Sequence, residues 1–138
     1  MSVEENKAVI RRMIDELNNG NLAVLDEAMA ENCIWLSAAG QEMNREGYKQ
    51  FITILMNAFP DLKGTIVNIV AEGDEVAVRF ILEGTNKGDF MGTPPTGKTI
   101  KVTEDYFNRF EGGKIVEYRN LVDSLAFYQQ LGISPPSQ

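Results

Sequence analysis

A chain of 138 residues with 20 acidic against 13 basic side chains carries a net charge of −7, so it repels phosphate and is a poor partner for nucleic acid or an anionic membrane. Its length is that of one domain, residues 1–138, able to bury about two-thirds of its unfolded surface in a single core. One cysteine, Cys33, excludes an intrachain disulfide, and the absence of histidine removes both the commonest transition-metal ligand and the usual neutral-pH base.

Acid/base work must therefore fall to carboxylates, tyrosines or lysines. The opening stretch MSVEENKAVI lacks the basic region and long apolar run of a signal peptide, and no later stretch approaches the ~20 apolar residues of a membrane span. These features point to the cytoplasm. Ser2 with Glu5 three residues later reads as a capping box. Ile10, Met13, Ile14 and Leu17 then recur at helical spacing, giving a first helix over about Val3 to Asn18. NNGN breaks it. Asn21 can cap a second, shorter helix whose apolar side is Leu22, Leu25, Ala28 and Met29. CIWLS is short, apolar and bulky, and reads as a buried strand containing Trp35. Asn44 caps a third helix in which Tyr48, Phe51, Ile52, Leu55, Met56 and Phe59 keep the amphipathic rhythm until Pro60.

Beyond Pro60 the period changes to that of strands. TIVNIVAEGDEVAVRFILEG splits at Gly73-Asp74, a two-residue hairpin signal, and TIKVTEDYFNRF is joined to KIVEYRNLV through Gly112-Gly113. Helices first and an antiparallel meander after predict an α+β domain with one sheet curled around helices. A two-residue turn at Gly112-Gly113 places Phe110 opposite Ile115, Tyr106 opposite Arg119, Glu104 opposite Leu121 and Val102 opposite Asp123, all on one face. The other face carries Phe107 with Tyr118 and Asp105 with Asn120. Neither face alternates cleanly into apolar and polar. One reading is a partly polar cavity on one side and a partner subunit on the other; the alternative is irregular exposure with a bulge that shifts the register.

The stretches FPDL, AEGDEVAVRF, GDFMGTPPTGK and GGKIVEYRNLVD followed by QQLG occur together in this order. In this the chain resembles the SnoaL-like polyketide cyclase family of the nuclear transport factor 2-like superfamily, over nearly its whole length. The resemblance implies a cone: a curved antiparallel sheet packed on three N-terminal helices, with a short C-terminal helix and a deep apolar pocket. It further implies a homodimer packed through the sheet and cofactor-free intramolecular aldol chemistry on a small apolar, polyketide-like carbonyl compound. In the family the aspartate before the C-terminal helix is similar in position to Asp123 and serves as acid/base. Tyr106 stands where relatives carry an acidic or histidine residue, and Arg119 joins Tyr106 as a polar partner on Asp123's predicted face. Trp35, Glu104, Asn108 and Leu121 are expected to line the pocket, with Phe59 and Met13 from the helices; a solvated strand carboxylate is the plainer reading of Glu104, and a packing residue with its hydroxyl satisfied is the alternative for Tyr106. Phe90 and Met91, in a Gly/Pro-rich connection, either cover its mouth or belong to a plain hairpin loop packed on a neighbour.

Two readings of Asp123 stay open, since aspartate is among the best helix N-caps and DSLAFYQQL starts a helix directly after it. Function is open in the same way. An enzyme would turn over its ligand, whereas a binding protein of the same fold would only hold it. Isomerase-like proton shuttling is disfavoured, because CIWLSAAG has no aspartate to supply its base.

Overall fold

The computed structural model describes residues 2–38 and 40–135. Helix α1, Val3–Asn18, begins with the expected reciprocal cap, the Ser2 hydroxyl accepting from Glu5 N–H and the Glu5 carboxylate accepting from Ser2 N–H. Its buried stripe of Asn6, Ile10, Met13 and Ile14 faces the sheet. Helix α2, Val24–Ala28, is shorter than its apolar pattern suggested and has no side-chain cap. Asn21 instead accepts from Ala23 N–H at 3.2 Å, closing a turn ahead of the helix. Strand β1, Met29–Ser37, starts four residues before CIWLS. It pairs with a short strand β2, Glu42–Asn44, that the sequence pattern did not reveal. Asn44 then caps helix α3, Arg45–Ala58, accepting from Gly47 N–H at 2.8 Å. The helix stops just before Pro60, whose ring cannot follow a helical turn.

Two hairpins make the rest of the sheet. Strands β3, Lys63–Glu72, and β4, Glu75–Thr85, meet at Gly73-Asp74; β5, Thr99–Glu111, and β6, Lys114–Val122, meet at Gly112-Gly113. Gly112 and Gly113 have φ of 57° and 81°, a left-handed pair that glycine enters without the Cβ penalty other residues suffer. Helix α4, Ser124–Leu131, ends the chain's regular structure. The six strands form one open curved sheet in the order β2-β1-β6-β5-β4-β3, so the expected α+β architecture stands. One ladder differs from a plain meander: β1 runs parallel to β6.

Register differs from expectation at one place, with large consequences for the site. Phe110 pairs with Ile115 as expected, but Arg109 pairs with Glu117, so Val116 is an extra residue in a bulge. Beyond it every β6 side chain changes face relative to a regular hairpin. Tyr118, Asn120 and Val122 therefore sit opposite Asn108, Tyr106 and Glu104, while Arg119 and Leu121 sit opposite Phe107 and Asp105.

Two apolar clusters occupy the concave side. The larger joins Ile10, Met13 and Ile14 of α1 to Val76, Val78, Tyr106, Phe110, Ile115 and Tyr118 of the sheet. The smaller joins Leu55, Ala58 and Phe59 to Phe90, Ile100 and Leu131. Buried Asn86 fastens the β4–β5 connection beneath it: its amide donates to Gly88 C=O at 2.9 Å and accepts from Thr96 N–H at 2.8 Å. Gly88 is required there, because a Cβ at this position would fall 2.3 Å from Asn57 C=O. Among the described residues no helix is long and apolar enough to cross a membrane.

Candidate active site

The concave face encloses a cavity of two lobes. The inner lobe, of about 90 Å³, lies under α1 and α3 and is walled by residues that include Met13, Leu17, Tyr48, Phe80, Tyr106 and Tyr118. The outer lobe, of about 410 Å³, opens between β1, the β4–β5 connection and α4, beside Phe90, Met91, Phe127 and Tyr128. Trp35, Phe51, Leu55, Leu82, Glu104 and Asn120 border both lobes and form the waist between them.

Among the described residues Glu104 is the one carboxylate lining either lobe. Inward alternation of β5 places it there, two residues from Tyr106 and opposite Val122. Tyr118 donates its hydroxyl to Glu104 Oε1 at 3.1 Å, and Asn120 Nδ2 approaches the same oxygen at 3.4 Å. Oε2 takes no hydrogen bond from a described residue. Burial in this apolar hollow pushes the carboxyl up to about 7; the bonds from Asn120 and Tyr118 pull it down, and Asp105 nearby adds a smaller upward push. The tyrosines around it are packed ring to ring, Tyr106 to Tyr118 at 4.9 Å and Tyr48 to Tyr118 at 5.3 Å. Desolvation drives the Tyr106 and Tyr118 hydroxyls well above their ordinary range, so both remain proton donors at any working pH. Trp35 Nε1 is buried at the waist with no hydrogen-bond partner among the described residues. Among those residues no group of three or more carboxylate or thiol side chains gathers in a way that could hold a metal ion.

The expected site residues divide. Glu104, Tyr106, Trp35 and Met13 line the cavity, and Phe90 and Met91 border its outer lobe. Arg119 is a correction. The bulge at Val116 turns it to the opposite face, where it meets Glu117 at 3.1 Å and Glu75 at 3.3 Å and lies 5.7 Å from the Phe107 ring centroid. Asp123 also differs: of its two readings the structure displays the cap, with the exposed carboxylate accepting from Ala126 N–H at 3.1 Å. The same bulge explains this, since Val122 rather than Asp123 takes the inward position. Leu121 reaches the outer lobe only at its rim and is 63% exposed. Asn108 points inward but lies deeper in the core, donating to Val76 C=O at 3.4 Å, and Phe59 sits behind the outer lobe in the smaller cluster. Tyr118 and Asn120 are the hydrogen-bonding neighbours of Glu104 that sequence reasoning missed. Only the position of the bulge could have revealed them, and Val-Glu after Lys-Ile carries no glycine to mark it.

The comparison that decides kinship is with family models: residues 7–131 match that of the SnoaL-like polyketide cyclases. The chain belongs to this family. Among curated relatives of known name is the aklanonic acid methyl ester cyclase DnrD of Streptomyces peucetius, 28% identical over 131 residues, which span 90% of this chain and 88% of DnrD. Among solved structures, AclR of Streptomyces galilaeus, described as a proposed hydroxylase, superposes with a TM-score of 0.89 at 28% identity, covering 99% of this chain and 91% of that one. IdmH of Streptomyces antibioticus, described as a proposed polyketide cyclase, gives 0.81 at 31% identity, covering 93% of this chain and 99% of that one. This family member thus keeps the shared frame, with the carboxyl group of Glu104 lining both lobes of the cavity.

The placement of Glu104 has a measurable thermodynamic consequence. Its folded-state pKa of about 7 lies above the ordinary 4.5, so between these values the native state holds a proton that the unfolded chain has released. Stability is full below about pH 4.5 and falls as pH rises to about 7, by on the order of 2 kcal/mol once water in the cavity is allowed for. Urea denaturation at pH 5 and pH 8 should show this fall in the native protein, and Glu104→Gln should flatten it. Equal slopes in the two proteins would place the proton elsewhere.

Proposed function

We propose that this protein closes a ring in an enolisable polyketide ester by an intramolecular aldol step, with Glu104 as the acid/base. The supporting observation is a carboxyl group near neutrality at the waist of an apolar cavity, with one oxygen held and the other free. The ionised form takes the proton from a carbon flanked by two carbonyls. The electron pair passes to the enolate oxygen and then forms the new carbon–carbon bond at a ketone within the same molecule. The alkoxide so produced takes the proton back from Glu104, which restores the starting enzyme. Desolvation keeps the base strong, and the polarised enolate needs no metal to delocalise its charge. A ligand carbonyl at the waist would give Trp35 Nε1 the acceptor it lacks. The named relative DnrD is an aklanonic acid methyl ester cyclase, which adds to the support.

Ring closure of this kind conserves mass, so the test is chromatographic. Incubation with a polyketide methyl ester bearing a 1,3-dicarbonyl and a further ketone within ring-closing reach should convert it to an isomer of different retention that has one ketone fewer and one tertiary alcohol more. A ligand recovered unchanged, with binding intact, would instead make the protein a carrier of the same fold.

We also propose that the convex face of the sheet joins a second copy of the chain. Val70, Ala77, Phe107 and Arg119 form one cross-strand row there, and Asn68, Arg79, Asp105 and Leu121 the next. Val70, Phe107 and Leu121 are 62%, 48% and 63% exposed, a large apolar content for a wet surface. The charges around them are already paired within the chain, Arg79 with Asp105 at 2.7 Å. Phe107→Glu should shift the sedimentation coefficient from dimer to monomer; a coefficient unchanged by that variant would reject this face as the contact.

A further inference from the structure

We infer that the inner lobe measures the length of the substrate: it admits a linear apolar substituent of about three carbons and rejects a ring or a longer chain. This rests on Glu104 meeting the reacting carbon at the waist, which fixes where the substituent begins. A cavity that holds benzene, with its six carbons, is about 150 Å³. On that scale the inner lobe, at about 90 Å³, holds about three to four carbons and no aromatic ring.

The Phe80 wall is held from both sides. Phe80 packs edge-on against Tyr106 at 5.2 Å, and its other side lies against Gly64, where even a Cβ would fall 2.8 Å from the ring. Met13, Ile14, Leu17 and Ile52 supply apolar walls from the helices. The one amide on that side, Asn18, is occupied by backbone: its Nδ2 donates to Gly64 C=O at 2.9 Å and its Oδ1 accepts from Gly64 N–H at 2.8 Å. A polar substituent would therefore gain no partner from Asn18. The ring system belongs in the outer lobe, where Phe90 and Phe127 lie 5.3 Å apart and Tyr128 continues the aromatic wall at 5.2 Å.

The probes are 1-(2-naphthyl)-1,3-diketones whose far carbonyl carries methyl, propyl, hexyl or phenyl. Binding is read by fluorescence of Trp35, the chain's one tryptophan, in the native protein and in Glu104→Gln. Propyl should bind roughly tenfold tighter than methyl, as expected for two more buried methylenes, and hexyl and phenyl at least tenfold weaker than propyl. Leu17→Ala should shift the preference toward hexyl while changing the methyl compound less than threefold, and Met56→Ala should act in the same direction should Leu17→Ala fold poorly. Affinity that climbs smoothly through hexyl, that ignores the substituent, or that is absent for the whole series would overturn the gauge. Because binding is read without turnover, the gauge can fail while Glu104 remains the base, and the base can fail while the gauge remains.

Discussion

Turnover of Glu104→Gln should fall by about two to four orders of magnitude, the range general acid/base groups contribute. The amide has nearly the shape of the carboxyl and can still accept from Tyr118, so circular dichroism and ligand affinity should stay close to native. What it cannot do is take a proton from carbon. In the native protein, kcat/KM should rise with pH through about 7, where Glu104 ionises, and level off above. Asp123→Asn is the comparison that separates the two carboxylates, since an amide still accepts from Ala126 N–H and caps α4. It should keep turnover within a few-fold. A collapse in Asp123→Asn alongside near-normal activity in Glu104→Gln would refute the assignment and return the chemistry to the helix cap.

The second large effect is on stability. Phe59 is fully buried, its ring 6.3 Å from Phe90 and 6.0 Å from Phe127. Phe59→Ala removes a ring that both aromatic neighbours rest on, and Gly84, which lies against the Phe59 Cβ that alanine keeps, has no side chain to fill the void. Loss of about 3–5 kcal/mol is expected, a large share of the ~5–15 kcal/mol that holds a domain of this size. The thermal midpoint should drop by roughly 10–20 °C. Since Phe90 and Phe127 also wall the outer lobe, affinity for a ring-bearing ligand should weaken in the same variant. A midpoint within a few degrees of native would mean the smaller cluster collapses around the gap.

Much of this architecture could be read from residue order. The capping box at Ser2 and Glu5, the Asn44 cap, the break at Pro60 and the two glycine turns are local signals, each with a mechanism that operates within a few residues, and each reappears in the structure. Strand β2 was invisible because three residues carry no period. The site was half legible: β5 carries its own alternation, so Glu104 and Tyr106 fell on the correct face. β6 did not, because one unpaired residue at Val116 reverses everything after it. Arg119 and Asp123 were consequently assigned inward, and Tyr118 and Asn120 outward. A bulge depends on how a strand lies against its neighbours, which no local pattern encodes.

The parallel ladder between β1 and β6 brings Ile34 beside Glu117 and Ser37 beside Asn120, across most of the chain. Such distant contacts exact their loop-closure entropy before any reward, which slows folding toward the millisecond-to-second range. During synthesis the consequence is temporal. At about 5–20 residues per second, α1, α3 and the first hairpin leave the ribosome seconds before β6 emerges to complete the sheet, and their apolar faces must wait for it. Nascent chains stalled short of β6 should accordingly be held by chaperones, and those stalled well beyond α4 released from them.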